Sequence, residues 1–404
     1  MVDKGQNQTV VRDNNMKLIL FSLLERSMSC SDLADKLSLS KPALTKITSE
    51  MLDEELIVSA AAGSAAGRSY ELGRKKSYLS INENVGIVAA IDFSTVNIRV
   101  GLYSLAGQEI VVREVQDSEF INEGVLGEVA ALLAALLREP CVRGRELLCL
   151  CIGASGKIDK HTGSIVESIK FRDCLGLNVG NFFSERFGTE VLVKNDMDLS
   201  LLAERKFGAL RGADVDDALL LYIDSGIGGA VMADGRILSG RHGFAGEFGL
   251  AVTVDDDGRE QPYDRIVSVN AIKEKIRKYQ QESGDTVFAG KFRFRDVVAK
   301  FHGGHPAVRS IVLRTADITA RLLAGLADIF DTDRIFLSGR VRDFGEEYLA
   351  HIRENALLRA RSAQIEFSQT EDPVLRGAVL YAIAASFDIL ITRRRAVQGM
   401  RRDA

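Results

Sequence analysis

From residue 85 onward, apolar runs of strand length alternate with longer segments whose apolar residues recur at helical spacing. The runs are VGIVAAIDF, LLCLCIGASG, EVLVKND, ALLLYIDSGIGGAVM and RIFLSG. Such alternation is typical of α/β domains, in which helices cover a sheet. Two strand-turn-strand units, at 87–103 and 218–238, are alike in kind. The sequence therefore predicts α/β architecture over most of the chain.

The residues before this region have a different pattern. Three short helices are predicted, in MKLILFSLLER, CSDLADKL and SKPALTKITSEMLDEEL. Ser29 or Ser31 can cap the second helix, whereas the third has Ser40 as a natural N-cap and Pro42 in its first turn. Two helices joined by a turn of about three residues form a helix-turn-helix.

The third helix has one apolar face, formed by Leu44, Ile47 and Met51. The residues that then point outward, where base and phosphate contacts are usually made, are Lys41, Thr45, Lys46 and Ser49. The following LIVSAAAGSAAGRSYELG reads as strand, glycine-bearing turn and strand, the wing of a winged helix. Arg68 lies near its tip, either as a solvated loop charge or as a minor-groove contact.

Composition limits the class of protein. At 404 residues the chain is long enough for two or three domains. Its longest apolar runs, such as VAALLAALL, are too short to span a membrane, and no secretory signal pattern opens the sequence. We therefore expect a cytoplasmic protein with no membrane partner. The net charge of -4 does not exclude DNA binding, because a small basic module can lie within an acidic protein.

The cysteines predict neither a disulfide framework nor a metal site. They number five, an odd count, which fits a reducing compartment. Cys149 and Cys151 lie in the apolar run LLCLCIG, where a C-x-C pair is more often core packing than a set of metal ligands.

Seven landmarks in order resemble the ROK family, whose name joins repressors, open reading frames and kinases. They are the helix-turn-helix with GRS in its wing, the Asp92 hairpin, CIGASGKID, VKNDMD, IDSGIGGAVMADGRILSGRHGFAGEFG, IFLSGRV and PVLRGAVLYA. The resemblance implies an N-terminal winged helix-turn-helix followed by duplicated actin-like, sugar-kinase α/β lobes of the ribonuclease H type. The implied domains are 1–80 for DNA binding, 81–200 for the first lobe, and 201–404 for the second lobe with a dimerisation surface.

The resemblance also implies a sugar site. Asn195 and Asp196 match the pair that holds sugar hydroxyls, with Asp196 at the position of the kinase general base. Glu247 matches another hydroxyl acceptor, and Asp264 stands where the family usually has a glutamate. Each of these side chains could instead cap a helix or lie in solvent.

The first hairpin departs from the family's ATP-binding pattern. Members that bind ATP have D-x-G-G-T, whereas this chain has Asp92-Phe93-Ser94-Thr95-Val96. Side chains at 94 and 95 should obstruct a phosphate that glycine would admit, and Val96 has no hydroxyl to donate. The second loop, 224–229, keeps glycines, which tight strand turns also explain. We therefore predict a protein that is not an enzyme.

Two further departures concern ligands. Leu250 replaces the family's zinc-binding histidine, and DDDGREQP has no cysteine, so the sequence predicts neither a metal nor a cofactor. In SIKFRDCLGLN, Lys170 replaces part of an asparagine-leucine pattern. A pocket-facing Lys170 would favour an acidic or phosphorylated sugar, although a surface position is the alternative.

The sequence thus predicts a sugar-responsive regulator, most simply a repressor, with a degenerate kinase-like sensor. Its expected partners are double-stranded operator DNA, a carbohydrate or sugar phosphate effector, and copies of itself in a homodimer or dimer of dimers. Two alternatives stay open. One is an active sugar kinase with an attached DNA-binding domain, and the other is a dimeric DNA-binding scaffold that senses no ligand.

Overall fold

The structure, a computed structural model, describes residues 8–61, 77–115, 119–212, 215–255, 257–288 and 290–402. The chain forms two compact units. The first comprises Met1–Ala154, Ile169–Val193 and Ala378–Ala404, and the second comprises Ser155–Ser168 and Lys194–Gly377. These units cut across the division into domains 1–80, 81–200 and 201–404, which stays a prediction.

The helices in chain order are α1 (Gln8–Glu25), α2 (Cys30–Leu37), α3 (Lys41–Asp53), α4 (Glu123–Leu136), α5 (Val179–Phe187), α6 (Asp196–Phe207), α7 (Asp264–Val267), α8 (Val269–Ser283), α9 (Phe294–His302), α10 (Pro306–Phe330), α11 (Gly345–Arg353), α12 (Ala356–Ala360) and α13 (Pro373–Arg402). The strands are β1 (Met28–Ser29), β2 (Ile57–Ala61), β3 (Ser77–Ile81), β4 (Ile87–Asp92), β5 (Ile98–Ser104), β6 (Glu109–Val115), β7 (Leu147–Ala154), β8 (Lys157–Ile158), β9 (Ile165–Glu167), β10 (Glu190–Asn195), β11 (Ala218–Ile223), β12 (Ile227–Ala233), β13 (Arg236–Ile237), β14 (Val252–Val254), β15 (Glu260–Pro262), β16 (Arg334–Ser338) and β17 (Gln364–Phe367).

The N-terminal part combines three helices with a small sheet of order β1-β3-β2. Ser29 rather than Ser31 caps α2, because the Ser29 hydroxyl accepts from Asp32 N at 3.2 Å and the Asp32 carboxylate accepts from Ser29 N at 3.3 Å. Ser40 caps α3 by accepting from Ala43 N at 3.4 Å. Strand β2 pairs antiparallel with β3. The second strand predicted for the wing, in RSYELG, lies in 62–76, outside the described residues.

Two larger sheets have the same strand order. One sheet has the order β6-β5-β4-β7-β10 and the other has the order β13-β12-β11-β16-β17. When the strands of each sheet are numbered as they occur along the chain, both sheets have the order 3-2-1-4-5. In each, the first strand pairs antiparallel with the second and parallel with the fourth. The shared topology confirms the α/β architecture and the likeness of the two strand-turn-strand units.

The core of the first sheet contains both cysteines of LLCLCIG. Cys149 and Cys151 are fully buried in β7, opposite Val88 and Ala90 of β4. All six residues of β4 are buried, as expected for a central strand covered on both faces. In the second unit, β11 and β16 pack under α8, α10 and α11, with Phe344 and Tyr348 fully buried among them.

A buried carboxylate fixes the end of α6. Glu204 is 0% exposed and accepts hydrogen bonds from the hydroxyls of Ser368 and Thr370, at 2.8 and 2.7 Å. Three backbone N–H groups, of Ala209, Gln369 and Thr370, donate to the same carboxylate. Burial raises the pKa of Glu204, but these donors outweigh burial and hold the pKa below its ordinary value.

The last helix, α13, begins in the second unit and continues in the first. Its Pro373–Arg394 segment is long and apolar enough to cross a membrane, but 56% of its most apolar window is buried inside the protein. Within the first unit, Phe387 packs edge-on against Phe21 of α1, with ring centroids 5.5 Å apart. Packing within the protein therefore accounts for the apolar composition of α13.

Charged residues join α13 to the N-terminal helices of the same unit. Arg394 is ion-paired with Glu54 and donates to the carbonyl oxygen of Glu50 at 3.5 Å. Arg12 of α1 is paired with the Glu50 carboxylate at 2.9 Å. The Arg394 side chain is only 14% exposed, so the cluster is largely shielded from water.

Candidate functional site

The first turn of α6 presents the predicted Asn195 and Asp196. Asn195 is the N-cap, and its Oδ1 accepts from Met197 N at 2.8 Å and Asp198 N at 3.3 Å. Its Nδ2 donates to Gly156 O at 3.0 Å, so the orientation of the amide is fixed. Asp196 is 8% exposed and begins the helix, where the helix dipole favours a carboxylate. Asn195 therefore does cap a helix, with one amide hydrogen left for a ligand.

Asp198, in the same turn, has a raised pKa that the sequence did not predict. Burial raises the pKa of Asp198 to about 7, while the nearby Lys194 lowers it. Asp198 lies two residues after Asp196, and this spacing could have suggested it as a further site residue. The partial burial that raises its pKa could not be predicted from the sequence.

Glu247 lies immediately before a 3-10 turn, Phe248–Leu250, and is half-buried. Burial raises its pKa; Lys157 opposes this shift and Glu167 adds to it. Lys157 and Glu167 face each other across the β8–β9 hairpin and form an ion pair of 2.7 Å. Lys157 is thus a cation beside Glu247 that sequence reasoning did not identify.

Asp264 is the first residue of α7 and lies against the second glycine loop. A Cβ on Gly226 would be 3.6 Å from Asp264 Oδ1, and this buried oxygen has no hydrogen-bond partner among the described residues. Burial raises the pKa of Asp264, although a hydrogen bond from the backbone of Ile227 lowers it. Asp264 also lines a cavity of about 480 Å³ that includes Ser225 and Asn270.

The start of β12 packs against the segments that carry the predicted acids. Gly226 precedes β12 and lies against Asp264, and a Cβ on Gly228 would lie 3.2 Å from the side chain of Met197, the residue after Asp196. A Cβ on Gly229 would lie 2.4 Å from the Phe248 ring, next to Glu247. Glycines at 228 and 229 are therefore needed for close packing, and the start of β12 contacts Asp264 and the residues that follow Asp196 and Glu247.

Asp224, in the loop before β12, forms an ion pair with Arg340. Arg340 Nε donates to Asp224 Oδ1 at 2.7 Å, and the Tyr222 hydroxyl donates to Asp224 Oδ2 at 3.3 Å. The backbone N–H of Ser225 also donates to the Asp224 carboxylate. The carboxylate of this glycine loop is thus neutralised by the protein's own arginine.

The Asp92 hairpin in the first unit is also closed by its own side chains. Asp92 is 4% exposed, and its Oδ1 accepts from the N–H and hydroxyl of Ser94 at 2.8 and 2.6 Å. Lys170 donates to the carbonyl oxygen of Thr95, and the Thr95 hydroxyl donates to Asn97 O at 2.7 Å. Burial raises the pKa of Asp92, and both Ser94 and Lys170 oppose that shift. Lys170 is half-buried and holds the hairpin.

The outward face of α3 agrees with its sequence period. Leu44, Ile47 and Met51 are buried. The exposed residues on the other side are Lys41, Thr45, Lys46 and Ser49. Arg68 lies in 62–76, outside the described residues.

No group of three or more His, Cys, Asp or Glu in the described ranges is arranged to hold a metal ion. At the position of the family's zinc-binding histidine, Leu250 is 55% exposed.

The chain is similar to both regulators and kinases. It is 24% identical to a putative xylose repressor from Caldicellulosiruptor sp. (strain Rt8B.4), over 94% of this chain and 96% of the relative. It is 27% identical to a glucokinase from Thermotoga maritima, over 66% of this chain and 86% of the relative. Its fold matches a crystal structure of a ROK family transcriptional regulator, a homolog of the E. coli MLC protein, with a TM-score of 0.77, 20% identity and coverage of 95% and 99%.

The family model for ROK matches residues 88–377, which include both large sheets and every residue predicted to bind the effector. Since this match extends over more than half of the sequence, the chain belongs to the ROK family.

Proposed function

We propose that this protein is a sugar-responsive transcriptional regulator, most simply a repressor, with a kinase-like module that binds sugar without phosphorylating it. The packing of the segments that carry Asn195, Asp196, Glu247 and Asp264 around the start of β12 carries the proposal. Similarity to a xylose repressor over nearly the whole of both chains supports it.

The N-terminal part is proposed to bind double-stranded DNA as a winged helix-turn-helix. Helix α3 is the recognition helix, and its exposed Lys41, Thr45, Lys46 and Ser49 would contact bases and phosphates in the major groove. The β2–β3 pair forms the wing, and minor-groove contact by Arg68 stays a prediction. A homodimer would present two recognition helices to two half-sites. Cytoplasmic location follows from DNA binding.

The effector is proposed to be a neutral sugar. Ionised carboxylates only accept hydrogen bonds, and ring hydroxyls are the donors that a sugar offers to Asp196, Glu247 and Asp264. Three acids around one strand end disfavour a sugar phosphate, because like charges repel at short range. Since Lys170 is engaged with the Asp92 hairpin, we assign no anion-binding role to it.

Two features argue against phosphoryl transfer. Phosphate loops hold their ligand with several free backbone N–H groups. Here the N–H of Ser94 donates to Asp92, and the N–H of Ser225 donates to Asp224. A carboxylate of the loop itself therefore occupies this donor in both loops.

An active sugar kinase is the second candidate, because Asp196 stands at the position of the general base in the family's kinases. A coupled assay of ADP release with D-xylose, D-glucose and D-mannose separates the two functions. We expect no sugar-dependent turnover. Rates on the order of 1 to 100 per second would establish the kinase instead.

The proposed function is tested by fluorescence anisotropy on DNA from upstream of the protein's own gene, at fixed salt because phosphate contacts make affinity salt-dependent. We expect specific binding that D-xylose or another neutral sugar changes by roughly 5- to 150-fold, the usual range of allosteric coupling. Amino, acidic and phosphorylated sugars complete the panel. Asp196→Asn should abolish the sugar response and leave DNA affinity unchanged.

The matched control is Glu282→Gln, since the Glu282 side chain is 66% exposed and lies on the outer part of α8. This variant should respond to sugar like the unaltered protein. Specific DNA binding that no sugar changes would favour the ligand-blind scaffold, and absence of specific binding would contradict the regulator itself.

A further inference from the structure

The β8–β9 hairpin contacts two of the three segments that supply the proposed effector site. At its start, the Gly156 carbonyl oxygen accepts from Asn195 Nδ2 at 3.0 Å. Beyond β8, Lys160 N donates to His242 O at 3.1 Å, in the loop that leads to Glu247. One short hairpin therefore touches the start of α6 and the approach to Glu247.

The fit of the hairpin in this position is close. A Cβ on Gly243 would lie 2.5 Å from the carbonyl oxygen of Ile158, so the loop before Glu247 packs directly on β8. Gly156 has a φ of +109°, and a Cβ there would lie 2.2 Å from Glu167 O. Neither glycine can be replaced without moving the backbone, so the hairpin's place in this unit is well determined.

Lys157 is the cationic side chain that this hairpin brings to the site. It follows Gly156, is 23% exposed and is ion-paired with Glu167, whose own side chain is 70% exposed. The Glu167 hydrogen bond, with a smaller contribution from Glu247, raises the pKa of the lysine, and the lysine in turn lowers that of Glu247. Because the hairpin packs on the loop that leads to Glu247, the ammonium group is held on that side of the site by an exposed carboxylate.

We propose that Lys157 determines which sugars the effector site accepts, by donating to a sugar hydroxyl beside Glu247 and by disfavouring cationic amino sugars. This inference rests on the proposed function. The carboxylates of the site accept hydrogen bonds, whereas hydroxyl oxygens of a sugar also need donors. Asn195 has one remaining amide hydrogen, and Lys157 supplies a charged donor on the Glu247 side.

The charge of Lys157 also sets selectivity. Asp196, Glu247 and Asp264 would attract an ammonium group on a sugar ring, as in D-glucosamine. Lys157 offsets this attraction at Glu247 and repels a second cation. Removing its charge should therefore weaken the binding of neutral sugars and strengthen the relative binding of an amino sugar. A loss of folding or packing would not produce these opposite changes.

The test is calorimetric titration of the full chain with D-xylose, D-glucose and D-glucosamine at fixed pH and salt. For Lys157→Met we expect binding of the neutral sugars to weaken by about 10-fold, since hydrogen bonds to charged groups are among the stronger ones. The affinity of D-glucosamine relative to D-glucose should rise by a similar factor. Lys157→Arg keeps the charge and should preserve that ratio.

A pH profile supplies a second readout. Without the lysine, Glu247 should protonate at higher pH, so the loss of sugar binding on acidification should begin at higher pH in Lys157→Met. The matched control is Lys300→Met, which removes an exposed lysine on α9 and should leave affinities and pH profile unchanged.

The outcomes separate the inference from the proposed function. If the unaltered protein binds none of the three sugars, the proposed sugar-binding function fails and the role of Lys157 fails with it. If sugars bind but Lys157→Met leaves both the glucosamine-to-glucose ratio and the pH profile unchanged, only the role of Lys157 is overturned. A parallel loss for all three sugars would also contradict it, because it would indicate a structural role.

Discussion

Glu204 offers a direct test of how the second unit is held together, through the substitution Glu204→Gln. The carboxylate is fully buried and accepts hydrogen bonds from five donors. Ser368, Gln369 and Thr370 precede α13, so the carboxylate fixes that segment to the last turn of α6. Glutamine keeps the size of the side chain and replaces one acceptor oxygen with an NH₂ donor.

Either orientation of the glutamine amide places its NH₂ group against donors. At the Oε1 position it faces Ala209 N, and at the Oε2 position it faces Thr370 N. Hydroxyls can rotate to accept, but backbone N–H groups cannot. A hydrogen bond to a charged acceptor contributes about 1.5–3 kcal/mol, and a buried donor left unpaired costs about 1–3 kcal/mol. Allowing for relaxation, we expect a loss of about 2–4 kcal/mol in the free energy of unfolding.

The assay is urea unfolding followed by circular dichroism, with the exposed Glu282→Gln as the control. Because the folded-state pKa of Glu204 lies below its ordinary 4.5, the carboxylate stabilises the protein fully above pH 4.5. That contribution declines as the pH falls below 4.5 and is lost once the folded-state pKa is passed. A Glu204→Gln protein within about 0.5 kcal/mol of the unaltered one at pH 7 would refute the reasoning.

Three further predictions use other parts of the structure. Asp198→Asn should stabilise the protein increasingly as the pH rises from about 4 to about 7, and by a constant amount above that, because the half-buried carboxylate has its pKa raised from 3.8 to about 7 on folding; urea midpoints across this range check it. Arg394→Met should destabilise the first unit by about 1–3 kcal/mol, less than for a fully buried pair, because it removes the ion pair with Glu54 and the hydrogen bond to Glu50 O; hydrogen exchange should quicken in α1 and α3 but not in α8. Lys46→Ala should weaken DNA binding similarly for all sequences and reduce the salt slope by about 0.9, as measured by anisotropy.

Local features of the fold could be predicted from the sequence because they depend on short-range periodicity. The buried face of α3 follows from the spacing of Leu44, Ile47 and Met51. The first helix was the exception: its apolar pattern predicts 16–26, but α1 begins at Gln8, since polar residues such as Asn14 and Asn15 hide the helical period. Choosing Ser29 over Ser31 as the cap also needed backbone geometry.

Contacts between distant residues account for what the sequence did not predict at the site. Arg340 binds Asp224 across 116 positions of the chain, and Thr370 binds Glu204 across 166. Lys157 was within a recognised motif, but its relation to Glu247 depends on how a hairpin packs on a loop about 90 residues later. Residue type and spacing carry no information about such pairings unless the topology is known.

The Asp92 hairpin and the loop 224–229 contain the same kind of internal contact. In each unit a serine N–H that could hold a phosphate donates instead to an aspartate of its own loop, Ser94 to Asp92 and Ser225 to Asp224. A lysine or arginine then stabilises each loop, Lys170 at the carbonyl of Thr95 and Arg340 at Asp224. Each loop therefore contains its own anion, which accepts from the loop's backbone. It follows that the sugar response of the proposed regulator should depend on sugar concentration alone, and that adding ATP or ADP should leave it unchanged.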